Sequence, residues 1–211
     1  MRLDHDDGFS ALELLVATVV ALVFSIAGWS FQRTQAVELH DQSASLDATE
    51  RIRAAMGFMA REIRRAGYDP RLTALIVPGT KGISVARSDR ILVEFDANQN
   101  GAIDADADDP GAESVLYSYD SANRRIVRTA GGAAETLITG VPPGGFTLEY
   151  FDLLGNPLPL VGLPPALDFV QRDLIALVRI NLRVEAVASS RPETLGLASR
   201  VTVRQRILDK L

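Results

Sequence analysis

The sequence predicts an α+β fold, a long amino-terminal helix packed on an antiparallel β-rich head. Three observations carry this. Residues 11–31 form a nearly unbroken apolar run. Residues 33–66 keep apolar side chains at spacings of three, four or seven. Beyond Pro70 the chain breaks into short runs of strand period between turn residues.

The first element is the run ALELLVATVVALVFSIAGWSF. It holds a single charge, Glu13, and residues 14–32 hold none. A helix of about 20 apolar residues spans a bilayer core. Trp29 and Phe31 stand at its far end, where interfacial aromatics belong, and Arg33 follows. No proline interrupts residues 1–69, so the helix is expected to continue. Leu39, Leu46, Ile52, Met56, Met59, Ile63 and Ala66 mark its apolar stripe, with Asp41, Asp47, Glu50, Arg53 and Glu62 on the other positions. Gly67 is suited to end it and Pro70 cannot prolong it. Arg61, Arg64 and Arg65 read as a solvated face near the helix C-terminus, where the dipole favours cations, in preference to a phosphate-binding patch.

Strands are expected at 82–86, 90–96, 114–119, 125–128, 135–138, 146–151, 174–186 and 200–207. The seventh gives the clearest signal. Val178, Ile180, Leu182 and Val184 alternate with Arg179, Asn181, Arg183 and Glu185. Turns fall at Pro142-Pro143-Gly144-Gly145, at Gly155-Asn156-Pro157 and around Pro164-Pro165. No internal repeat or low-complexity linker marks off a second domain.

Composition excludes several functions. With 47% apolar and 23% charged residues the chain is not disordered. The absence of cysteine rules out disulfides, thiolate metal sites and cysteine nucleophiles. The two histidines are His5 and His40, which leaves no Ser-His-Asp arrangement in the head. A formal net charge of −5 argues against general nucleic-acid binding. No base, nucleophile or cofactor motif accompanies the acidic residues, so an enzyme is not expected.

Three readings compete for the amino terminus. Ser25-Ile26-Ala27 offers a signal-peptidase site, but Asp4, Asp6 and Asp7 make the leader acidic and Glu13 interrupts the apolar run. A plain membrane anchor leaves Glu13 unexplained, since a carboxylate in hydrocarbon costs about 2.5–3.5 kcal/mol or more. The third reading covers the whole string. Gly8-Phe9-Ser10-Ala11-Leu12-Glu13-Leu14-Leu15-Val16-Ala17 resembles the class III signal of type IV prepilins and type II secretion pseudopilins. The resemblance implies cleavage between Gly8 and Phe9 by prepilin peptidase and N-methylation of Phe9. It makes Glu13 the fifth mature residue, paired with the Phe9 amine of a neighbouring subunit. One departure is the leader, usually basic in the family, where Arg2 is the one positive side chain.

The segment FMAREIRRAGY (58–68) resembles minor pilins of the PilW type and the related J-type pseudopilins. Under this resemblance residues 1–8 are a leader, 9–32 a transmembrane helix, 33–67 its amphipathic continuation and 68–211 the head. It implies a single-pass protein of the bacterial inner membrane with a periplasmic head. Its partners would be prepilin peptidase and other major and minor pilins or pseudopilins, without nucleic acid. Its role would be to initiate or cap a type IV pilus, or to serve as a minor pseudopilin of a type II secretion system.

One loop suggests a further chemistry. Asp96, Asn98, Asn100 and Asp104 fall at positions one, three, five and nine of a calcium-loop pattern, with Gly101 at six and the Ala102 carbonyl at seven. Position twelve is Ala107, so Asp106 or Asp108 would have to replace the usual glutamate. Residues 94–120 hold eight acids and no Lys or Arg. Two readings stand, a calcium site and a solvated acidic hairpin loop. The first would support a calcium-dependent tip adhesin or ligand-binding head.

Overall fold

The computed structural model describes residues 11–69, 82–103, 113–162, 165–186 and 193–203. Helix α1 runs from Ala11 to Arg64, 54 residues, and is about 80 Å long at 1.5 Å per residue. Two antiparallel sheets follow. Strands β1 (Ile83–Ala86), β2 (Arg90–Glu94), β3 (Ser114–Asp120), β4 (Arg125–Ala130) and β5 (Ala133–Thr139) form a five-stranded meander in chain order. Strands β6 (Phe146–Phe151), β7 (Leu177–Ala186) and β8 (Glu193–Thr202) form a three-stranded sheet, and a short helix α2 (Phe169–Arg172) precedes β7. The chain is thus α+β, a long amino-terminal helix followed by antiparallel sheets in a pilin-like arrangement.

The division into two sheets has a local cause. After Thr139 the chain meets Gly140 at φ +78°, then Pro142 and Pro143, which have no N–H to offer a ladder. Gly145 N–H closes the turn on the Pro142 carbonyl at 2.7 Å, and β6 starts a new sheet against β7. Period-two patterning identifies strands without saying which sheet receives them.

Only the last third of α1 serves the head. Ala48, Ile52, Ala55, Met56, Met59 and Ile63 are buried against the strands. Leu39 and Leu46, expected on the same stripe, are 66% and 67% exposed. Leu46 to Ile52 is a step of six, not seven, and at about 100° per residue it puts both leucines more than 100° round the helix from Ile52. The helix ends as expected. Gly67 adopts φ +75°, and its N–H bonds to the Glu94 carbonyl at 2.9 Å. Gly82 comes so close here that an added Cβ would stand 1.9 Å from the Gly67 nitrogen. Both glycines are needed where the chain leaves the helix and where it enters β1.

Two strand boundaries differ from expectation. Strand β7 starts at Leu177 because Asp168 and Gln171 close a capping box around α2, with Gln171 N–H donating to Asp168 at 2.7 Å. Strand β8 begins at Glu193, not 200. Gly196 hid its first half, and there the missing Cβ admits the Arg183 side chain (Arg183 Cγ would lie 2.7 Å from an added Cβ).

The buried stripe generates a test. Ile52→Ala empties a fully buried site and should cost about 2–5 kcal/mol. Leu46→Ala, at an exposed site, should stay within about 0.5 kcal/mol. Urea unfolding in detergent, followed by near-ultraviolet circular dichroism of the buried Tyr117 and Tyr150, measures both.

Candidate functional site

The amino-terminal half of α1 is long and apolar enough to cross a membrane, and none of its apolar window is buried. Leu14, Leu22, Phe24 and Trp29 stand between 62% and 73% exposed. Apolar area of this extent is stabilised by lipid or by other apolar helices at about 25 cal/mol per Å². The hydroxyls within it are already satisfied. Thr18 Oγ1 donates to the Leu15 carbonyl at 2.8 Å, Ser25 Oγ to Ala21 at 2.7 Å and Ser30 Oγ to Ala27 at 2.8 Å. Side chains that bond back to their own helix suit a medium without water. Glu13, in the first turn, is then the one ionisable residue of residues 11–32. Gly8 and Phe9 lie outside the described residues. The helix is compatible with a single-pass membrane anchor.

At its other end α1 is fixed to the five-stranded sheet by polar contacts. Glu62 accepts two bonds from Arg128 of β4, Nη2 at 2.7 Å and Nε at 3.2 Å. Tyr117 of β3 donates its hydroxyl to the same carboxylate. The side chains of Glu62 and Arg128 are 14% and 17% exposed, so water screens the pair little. Arg128 also pairs with Glu135 at 2.9 Å and lies over the Phe58 ring at 5.3 Å. Sequence reasoning put Glu62 on the polar positions. It sits beside Ile63 on the flank of the buried stripe and turns inward to Arg128, a partner 66 residues away.

The loop after β2 is ordered around its own backbone donors. Asp96, fully buried, accepts from Asn100 N–H at 3.2 Å and Gly101 N–H at 3.0 Å. Asn98 Oδ1 accepts from Asn100 N–H at 2.8 Å, and Asn100 Oδ1 from Ala102 N–H at 2.7 Å. Residues 96–102 therefore form a run of turns closed by their own side chains, and among the described residues no three acidic or histidine side chains are grouped to hold a metal ion. Asp104, Asp106 and Asp108 lie outside the described residues. The structure adds an acid that position counting missed. Glu113, also fully buried, accepts from Ala97 N–H at 2.6 Å and Asn98 N–H at 3.0 Å. The hairpin pairing of Glu94 with Ser114 returns it to the loop, and the signal for it was that pairing and not the spacing from Asp96.

Arg61, Arg64 and Arg65 line an open groove with Tyr68 and Gln99. Arg61 and Arg65 lie over Phe58 and Phe95 at 5.4 and 4.2 Å, consistent with a solvated helix face whose stems cover apolar rings.

Residues 41–140 match the model of one protein family, described as PpdB, prepilin peptidase-dependent protein B. The match supports a pilin-related protein and an association with prepilin peptidase. It spans the head-bound part of α1 and all of β1 to β5, and it does not include the amino-terminal signal motif. Motif and match therefore point the same way from separate parts of the chain. No curated protein and no solved structure matches the chain.

The polar contacts imply a pH profile. Burial, with the Glu62 hydroxyl acceptor second, raises the Tyr117 pKa, and burial also raises that of Tyr150. A raised tyrosine pKa contributes stability that is complete below the unfolded value of 10.0 and is lost as pH rises beyond it. Asp120 behaves oppositely. Its bond from Asn123, followed by that from Arg125, lowers its pKa to about 2, so its contribution falls away as pH drops below 3.8. The urea midpoint should hold from pH 5 to 9 and decline above about pH 10. Tyr117→Phe should lower the neutral midpoint and flatten the alkaline decline. An alkaline limb unchanged in that variant would mean that Tyr117 is not the group concerned.

Proposed function

We propose that the chain is a minor pilin or pseudopilin. Residues 1–8 form a leader that prepilin peptidase removes, residues 9–32 hold the protein in the inner membrane, residues 33–67 carry the helix out, and residues 68–211 form a periplasmic head. The observation that carries this reading is the pairing of an uncovered apolar helix with a head-side match to a prepilin peptidase-dependent family. The role is structural. The mature helix packs among helices of other pilins or pseudopilins, and Glu13 neutralises the Phe9 amine of a neighbour. The resemblance of residues 58–68 to PilW-type minor pilins favours initiation or capping of a type IV pilus over a type II secretion pseudopilus.

Two measurements test it. Mass spectrometry of the mature protein should find Phe9 first and N-methylated, and Gly8→Val should leave the precursor uncut. A mature start at Gly28 would identify an ordinary signal peptide. Glu13→Val should insert in the membrane at least as well as the wild type. It should be recovered in sheared filaments, or support filament initiation, at a small fraction of the normal level. Normal recovery would remove the role assigned to Glu13.

We also propose that the 96–108 loop takes a calcium ion through Asp96, Asn98, Asn100 and the Ala102 carbonyl, with Asp104, Asp106 and Asp108 as further donors. The acid content of the segment favours this, since residues 94–120 hold eight acids and no Lys or Arg, and a divalent cation relieves their mutual repulsion. Calcium at a hundred times its Kd should add about 2.7 kcal/mol to stability at fixed ionic strength. Magnesium should add less, because it holds its waters more tightly. Asp96→Asn should remove the difference between the ions. Equal effects of both ions, undiminished in that variant, would mark a solvated acidic loop.

A further inference from the structure

The outer face of the five-stranded sheet, opposite to α1, carries a pocket of its own. Register places Leu92 of β2 beside Leu116 of β3, and on this outer face Arg90 lies beside Ser118. The inward residues Ile91, Val93 and Tyr117 are buried toward the helix. The segment before β7 pairs along the free edge of β1 and brings Arg172 of α2 to the same cavity as Leu92 and Leu116. Ala166 bridges to Arg87, and Leu167 N–H bonds to the Ala86 carbonyl at 2.9 Å. Between this segment and the sheet lies a cavity of about 400 Å³. That is within the range of small-molecule pockets.

Its lining is divided by chemistry. Leu92 and Leu116 supply an apolar floor, while Arg87, Arg90 and Arg172 add three cationic side chains to the lining. Among the described residues no ion pair neutralises Arg87 or Arg90. The Arg90 Nε–H is shut away from solvent and has no hydrogen-bond partner. A planar guanidinium fork matches a carboxylate in two parallel bonds. A neutral ligand would leave Arg87 and Arg90 without an ion pair, and a bare anion would leave the leucine floor unused.

We propose that this pocket binds an aliphatic carboxylate, its oxygens held by Arg90 with Arg87 and Arg172, its carbon chain laid on Leu92 and Leu116. The site is independent of the filament reading, because it lies on the sheet face turned away from α1.

The test is isothermal titration of the full chain in mild detergent with hexanoate, acetate and inorganic phosphate at constant ionic strength. Hexanoate should bind one to one and more tightly than acetate, by up to about fourfold for each methylene buried. It should also bind more tightly than phosphate. Arg90→Gln should weaken hexanoate at least about tenfold. Arg87→Gln should weaken it less and serves as the second variant if Arg90→Gln does not fold. Arg200→Gln, on an exposed position of β8, should change nothing. Equal affinity for acetate and hexanoate, tighter binding of phosphate, or hexanoate binding unaltered in the Arg90 and Arg87 variants would each overturn the proposal.

Discussion

The contact between Glu62 and Arg128 decides how the long helix sits on the head. Apolar burial alone would hold the stripe from Ala48 to Ile63 against the strands, but burial is non-directional. A stripe of alanine, isoleucine and methionine sets its register through packing alone, less sharply than a directional contact does. Two parallel bonds from one guanidinium to one carboxylate admit a single register. The Tyr117 hydroxyl adds a third contact to the same oxygens, so β3 and β4 are both referred to one point on α1. The cost of burying the charges is offset by the pairing and by the close geometry, and the product is specificity as much as stability.

With that point fixed, the rest follows from length. The helix passes its last buried alanine at Ala48 and runs back more than thirty residues without cover from the head. The uncovered part divides by composition. Residues 33–47 are mixed and solvated, while residues 11–32 are apolar apart from Glu13, with hydroxyls bonded to their own backbone. A helix held by the head at one end and apolar at the other is compatible with a single-pass membrane anchor. Gly28 and Gly57 sit in open surroundings on this helix, and neither breaks it.

Much of this was legible in the sequence, for reasons that differ by element. The helix was readable because period, absence of proline and Gly67 agree over more than fifty residues. The β2–β3 hairpin and the Val178–Val184 alternation were readable because one face is wet and the other dry. What escaped was non-local. The partition into two sheets depends on where the Pro142–Gly145 turn sends the chain. The inward turn of Glu62 depends on Arg128, and the return of Glu113 to the acidic loop depends on hairpin register. The misplaced start of β8 came from Gly196, whose value lies in the space it leaves for Arg183 and not in strand propensity. Leu39 and Leu46 lie off the stripe because Leu46 to Ile52 is a step of six residues, which turns about 120° away from the core face.

A double-mutant cycle on Glu62→Gln and Arg128→Met, read by urea unfolding of the full chain, tests the helix anchorage most directly. If this pair sets the register of α1 on the sheet, each single variant should be destabilised and the coupling energy should be about 1–3 kcal/mol. A coupling near zero, with both single variants as stable as the wild type, would contradict it and leave the register of the helix to apolar packing and its other hydrogen bonds.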